Sequence, residues 1–247
     1  MDTSFEAAIG FAAELIRIPS PPGDEEVVAR RVVQELERLG FDEAWTDGVG
    51  NAIGVIRGTG ATSPVMLSSH LDVVDAGDEA EWEYPPYGGV VADGFLHGRG
   101  AMDIKGPLAL QTYAAARFVD ARPPGDLVVA HTVLEERGGW GMEFFLRDSG
   151  IRPGAVVIGE ATGGDVCIGH RGRAEVVVTV RGEAGHASEP DRARNALDGV
   201  GAVLEAVAGF AAARLPEENP VLGRSTLAAT DIRATPASPN VIPDRAE

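Results

Sequence analysis

One imidazole and several carboxylates stand in this chain where buried strands should run out into loops. His70 and Asp72 lie in Ser68-Ser69-His70-Leu71-Asp72, and Asp103 lies in Gly98-Arg99-Gly100-Ala101-Met102-Asp103-Ile104-Lys105-Gly106. Glu135 and Glu136 are adjacent, and Glu160 closes Ile158-Gly159-Glu160. Imidazole nitrogen and carboxylate oxygen together suit a borderline divalent cation such as zinc. A carboxylate with two oxygens can hold two such ions about 3.5–4 Å apart. The set is the ligand inventory of a two-metal hydrolase.

Each residue type has a role in that chemistry and a plainer alternative. His70 is read as a ligand and Asp72, two residues on and on the same face of an extended segment, as the carboxylate that orients it. A strand-end histidine hydrogen-bonded to a neighbouring acid would look the same. Asp103 is read as the bridging carboxylate, or else as a cap for the helix that follows. Glu136 is assigned to metal and Glu135 to general base, against a solvated strand-end pair. Glu160 is assigned to metal, although many strands end in glutamate. The Gly98-x-Gly100 stretch lacks the third glycine and the Lys-Ser/Thr pair of nucleotide loops.

The elements that must position these groups can be read from periodicity. Helices are expected over 5–16, from about 24 to 39, over 107–119, over 140–147 and over 193–214. Short apolar strands are expected at 44–46, 51–57, 65–69, 127–134 and 155–158, with a hairpin turning at Asp93-Gly94. Acids 25 and 26 are read as first-turn residues that suit the helix dipole. This alternation predicts an α/β fold, a mixed sheet flanked by helices, with the site beyond the carboxyl ends of the strands. Near residue 165 the pattern changes. An alternating strand at 173–181, a loop at 216–220 and a strand at 225–233 predict a partial α+β domain. The expected division is 1–168 and 169–247.

Composition narrows the classes. A net charge of −17 disfavours nucleic acid. The same charge, and the lack of a phosphate-cradling loop, count against a two-metal phosphate esterase. No unbroken run of 18 apolar residues is present, so no membrane partner is expected. A single cysteine, Cys167, and the absence of a basic, apolar leader point to the cytoplasm. Of 21 basic residues only Lys105 is lysine. His97 and His131 are read as packing residues, and His170 has no assignment.

The segments Ser-His-Leu-Asp, Gly-Arg-Gly-Ala-Met-Asp-Ile-Lys-Gly, Glu-Glu, Gly-Glu-Ala and Gly-His-Ala-Ser-Glu-Pro resemble the acetylornithine deacetylase and succinyl-diaminopimelate desuccinylase family, which also holds aminoacylases, glutamate carboxypeptidases and tripeptidases. The likeness runs from about Ile18 to Asn240. It implies a zinc-dependent metallopeptidase or amidohydrolase acting on an N-acyl amino acid or small peptide, with two zinc ions that cobalt or manganese could replace. It implies that His70, Asp103 and Glu160 hold one ion, that Asp103 and Glu136 hold the other, and that Glu135 is the base. It further implies a catalytic domain interrupted by a lid domain that forms a homodimer. His186 matches a lid histidine that stabilises the oxyanion across that dimer, and Arg171 and Asn240 resemble substrate-binding lid positions. The family's catalytic domain resumes after the lid and adds a last histidine ligand, whereas no histidine follows His186 here. The corresponding expectation is a chain truncated within the lid, with a non-catalytic metal-binding or dimerisation fragment as the alternative reading.

Overall fold

In a computed structural model, which describes residues 2–214 and 218–247, the first helix forms as α1 (Phe5–Ile16), opened by Ser4, whose hydroxyl accepts the Ala7 amide. Its apolar face buries Ala8, Phe11, Ala12 and Leu15. Helix α2 (Glu26–Arg38) buries the stripe Val28, Ala29, Val32 and Leu36, and the chain turns away at Gly40, whose φ of 79° suits glycine. Within this layer Glu35 is buried against Arg31, Arg38 and the Tyr113 hydroxyl, which donates to it at 2.6 Å. Burial alone would raise its pKa, but hydrogen bonds from Arg38, Tyr113 and Arg31 win and hold it at about 2.

Five strands form one sheet in the order β1-β2-β6-β3-β7. Strand β2 (Ala52–Ile56) pairs antiparallel with both β1 (Glu43–Thr46) and β6 (Leu127–Thr132), whereas β3 (Val65–His70) pairs parallel with both β6 and β7 (Ala155–Ile158). Between β3 and β6 come the hairpin β4 (Val90–Ala92) and β5 (Phe95–His97) and then helix α3 (Gly106–Ala116). The hairpin turns through positive φ at Asp93 and Gly94, as a two-residue turn of this twist requires. Successive residues of β2 and β6 face opposite sides. Ala52, Ile56 and Val129 pack with α1, α2 and α3, while Ile53, Val55, Val128 and Ala130 pack with Met66 and with Phe145 of α4 (Trp140–Asp148). Strand β7 is the sheet edge, and its four residues are exposed.

The chain separates into two units, with the division between Asp165 and Val166. Among its described residues the second unit holds one long helix, α5 (Ala196–Arg214), and seven two-residue strands. Those strands are β8 (Val180–Arg181), β9 (Gly185–His186), β10 (Glu218–Asn219), β11 (Gly223–Arg224), β12 (Ala234–Thr235), β13 (Val241–Ile242) and β14 (Arg245–Ala246). Window Ala196–Ala213 of α5 is long and apolar enough to cross a membrane by length and composition, although Asp198 and Glu205 interrupt it.

Two expectations fail in this unit. Of the strand expected at 173–181 only Val180–Arg181 pairs, and 225–233 is not a strand. Alternation of Val with Thr and Glu favours an extended chain, but a strand also needs a ladder partner and a face to cover. Among the described residues 173–179 have no ladder partner, and Val176 and Val177 are 78% and 76% exposed, so neither face is buried. Helix α5 also begins three residues later than expected, because Arg194 bridges to Glu183. The loop expected at 216–220 lies partly outside the described residues.

Candidate metal centre

Parallel pairing sends the carboxyl ends of β3, β6 and β7 to one edge of the sheet. His70 is the last residue of β3, Glu135 and Glu136 follow β6, and Glu160 follows β7. Glu160 is reached through Gly159, whose amide continues the ladder to Ser68 O at 2.8 Å. A Cβ on Gly159 would stand 2.4 Å from Ser69 Oγ, so only glycine lets β7 close on β3 here. Gln111 of α3 ties the same corner, accepting from Ser69 Oγ at 2.9 Å and donating to Val157 O at 3.1 Å.

Asp103 arrives on the glycine loop before α3. Gly100 has φ 80°, and a Cβ there would meet Val73 Cγ1 at 2.7 Å. The loop is anchored by Lys105, fully buried, whose Nζ donates to Ile18 O at 2.6 Å. Burial lowers the Lys105 pKa to about 7. Helix α3 starts without a side-chain cap, so Asp103 does not serve the helix.

The acid groups converge on His70. Its Nε2 lies 3.1 Å from Asp103 Oδ1, 3.9 Å from Glu135 Oε2 and 3.9 Å from Glu160 Oε1. Donor atoms of His70, Asp103 and Glu160 lie within 4.8 Å of one another, as do those of His70, Glu135 and Glu136. His70 Nδ1 sits 2.8 Å from the main-chain oxygen of Asp72 and 3.4 Å from its Oδ1. The main-chain oxygen is therefore the hydrogen-bond acceptor for the ring, and the carboxylate acts on it by charge.

The electrostatics follow from this crowding. Burial disfavours a charged His70, but Asp72, Glu135 and Glu160 outweigh it and raise its pKa to about 9. Burial would also raise Asp72, yet His70 and the amides of Glu136 and Glu135 hold it below the usual carboxylate range. Glu136 is raised by burial and then by the charge of Asp103. Glu160 is raised by burial too, with Asp103 and Glu135 adding to the rise against the opposing pull of His70.

The donor set fits divalent metal. Among the described residues, His70 is the only ion-pair partner of Asp103, Glu135 and Glu160. Four carboxylates around one imidazole gather the negative charge that two divalent cations would neutralise. Nitrogen and oxygen donors of this kind suit zinc and its first-row neighbours.

The remaining candidates lie in the second unit. His186 is exposed on β9, its Nδ1 2.7 Å from Ser188 Oγ. Strand β9 pairs with β13, which brings Asn240 beside it, and Asn240 O accepts the Ala187 amide at 3.0 Å. Arg171 is exposed in an irregular segment and donates to Arg224 O. Of the other histidines, His97 stacks on Tyr84 and His131 is buried with Nε2 3.0 Å from Thr112 Oγ1, while His170 is exposed. Burial, reinforced by the charge of His70, lowers His131 to about 3.

Glu25 and Asn51 are buried near the site and escape a reading by motif. Glu25 was expected as a first-turn acid that suits the helix dipole; it stands at the N-cap position of α2 and turns inward. The available signal was phase, since Glu25 lies three residues before Val28 and on the same helical face.

Residues 66–241 match the model of Peptidase family M20/M25/M40. The uncharacterized protein YgeY of Escherichia coli (strain K12) is 34% identical over 237 residues, covering 95% of this chain and 58% of that protein. Succinyl-diaminopimelate desuccinylase 2 of Ruegeria sp. (strain TM1040) is 30% identical over 247 residues, covering 95% of this chain and 62% of that protein. This chain thus spans about three fifths of these curated relatives. The M20 family metallo-carboxypeptidase Sso-CP2 of Sulfolobus solfataricus shares the fold with a TM-score of 0.66 at 17% identity, covering 100% of this chain and 70% of that one. With 176 of its 247 residues inside the family model, the chain belongs to peptidase family M20/M25/M40.

Proposed function

We propose that this chain carries the metal site of a hydrolase that cleaves an amide bond in an N-acyl amino acid or small peptide, with two zinc ions as the metal. The observation that carries the reading is the convergence of Asp103, Glu135, Glu136 and Glu160 on the buried His70. The names of the Ruegeria relative and of Sso-CP2 support amide substrates and metal dependence. His70, Asp103 and Glu160 would hold one ion, with Asp103 and Glu136 holding the other. Bound there, metal supplies Lewis acidity, which polarises a carbonyl and makes water nucleophilic near neutral pH.

The chain's own residues do the rest. Asp72 keeps the His70 ring turned with Nε2 toward the acids. Glu135, about half exposed at the rim, takes a proton from the attacking water and returns it to the leaving amine. His186 donates to the oxyanion, and Arg171 and Asn240 bind the substrate, in a homodimer. Removing one oxyanion donor typically costs about 10²–10³ in rate.

The test is Zn²⁺ titration of this chain, followed by hydrolysis of a panel of N-acetyl amino acids, N-succinyl amines and dipeptides. Glu135→Gln should keep the metal and lose turnover. A chain that binds no Zn²⁺, or a Glu135→Gln variant that hydrolyses at the parent rate, overturns the reading.

A further inference from the structure

We propose that Glu25 is a positioning residue for the Glu135–Glu136 pair, one of three side chains whose oxygens hold four consecutive backbone amides. The β6 ladder ends at Thr132, paired with His70. Beyond it the amides would ordinarily turn to solvent or to a turn partner. Here each one meets a side-chain oxygen. Val133 N donates to Asn51 Oδ1 at 2.9 Å, and Leu134 N donates to Glu25 Oε1 at 3.1 Å. Glu135 N and Glu136 N donate to the two oxygens of Asp72 at 3.1 and 3.0 Å.

Each holder is itself fixed. Asn51 Nδ2 donates to Asp47 Oδ2 at 2.7 Å and to Gly141 O at 2.8 Å, which sets the direction of its carbonyl. The other oxygen of Glu25 accepts the Gly23 amide at 2.9 Å, and the residue is only 5% exposed. A buried carboxylate is costly to place. Among the described residues it has no cationic partner, and the partners it does have are amides, which bond an ionised oxygen about twice as strongly as a neutral one. Leu134, the residue it grips, has φ 57°, a left-handed conformation that a bulky side chain adopts only when its surroundings hold it there. The grip lies one residue before Glu135. Its loss lets the backbone at 134 relax, leaves the pair held by Asp72 alone, and loosens the aim of both glutamates at His70.

The inference rests on the proposed metal site, so the experiment reads the segment and the metal separately. Amide hydrogen exchange across 133–136 and Zn²⁺ affinity by competition with a chelating dye are measured on this chain, on Glu25→Ala and on Glu25→Gln. Leu36→Ala, a core variant near the other end of α2 from Glu25, controls for lost stability. Glu25→Ala should speed exchange at Leu134 and weaken Zn²⁺ binding about 10–100-fold, the usual effect of losing a group that supports a ligand. Glu25→Gln gives up the Gly23 bond by turning its NH₂ that way but keeps its carbonyl oxygen as the acceptor for Leu134, so it should recover most of the affinity, while Leu36→Ala should bind Zn²⁺ as the parent does. If Glu25→Ala does not fold, Glu25→Asp, one methylene too short to reach Leu134, takes its place with the same expectation. Parent affinity in Glu25→Ala, or a Glu25→Gln variant as weak as Glu25→Ala, overturns the proposal. Should the parent chain itself bind no Zn²⁺, the metal reading fails, and unchanged exchange at Leu134 in Glu25→Ala would then overturn the positioning claim on its own.

Discussion

Replacing Asp72 by asparagine tests how the site is held together. The carboxylate is fully buried and receives two backbone amides, at 3.1 and 3.0 Å, while its charge faces the His70 ring at 3.4 Å. Hydrogen bonds to a charged group contribute about 1.5–3 kcal/mol each, and neutral ones about 1 kcal/mol. Whichever way the asparagine amide turns, its NH₂ faces one of the two backbone N–H groups. One bond is then lost and the other reduced to the neutral kind, a destabilisation of about 2–5 kcal/mol. Trp45, Trp82 and Trp140 all lie in the first unit, so tryptophan fluorescence during urea unfolding reports on the unit that holds the site. With a urea m-value at the upper end for a unit of this size, about 3 kcal/mol/M, the midpoint should fall by about 1 M. Zn²⁺ affinity should fall about 10–100-fold, because the ring loses the charge that supports it. A variant that unfolds at the parent midpoint and binds Zn²⁺ with parent affinity would refute the argument.

Two predictions concern the helix layer. Glu35 has a folded pKa of about 2 against an unfolded value of 4.5, so its contribution is fully present above pH 4.5 and is lost as pH falls through 2. Glu35 is buried but Arg38 is half exposed, which leaves about 2–3 kcal/mol in that window. Acid titration of unfolding free energy should show a shallower slope between pH 4.5 and 2 in Glu35→Gln, and an unchanged slope would refute it. Gly54→Ala would put a Cβ 2.9 Å from Phe41 Cδ1 and 3.0 Å from Leu36 Cδ2. Overpacking of this kind costs about 1–3 kcal/mol, measurable by the same urea assay, and parent stability would show that α2 can withdraw.

Much of the first unit is legible because its signals are local. The apolar runs that become β3, β6 and β7 are short, bounded by turn residues and each followed by a polar side chain. Glycine at 98, 100 and 106 marks a loop whose backbone must come close to its neighbours, and Asp103 sits inside it. What cannot be read locally is which acid turns inward. Asp24, Glu25 and Glu26 look alike in composition, and only the helical phase shared with Val28 and Val32 separates the middle one. Lys105 hides in the same way, because its amide-oxygen partner, Ile18, is 87 residues distant in sequence. In the second unit the alternation at 173–181 states a preference for extended backbone. It says nothing of whether a neighbouring strand is there to pair with it.

Because the Glu135–Glu136 segment is gripped by its peptide groups, its geometry does not depend on which side chains it displays. A residue exchanged at 135 or 136 inherits the same point of departure from the backbone and the same aim toward His70. The segment works as a fixed socket into which different chemical heads can be fitted, so reactivity there can drift by substitution while the frame that aims it stays put.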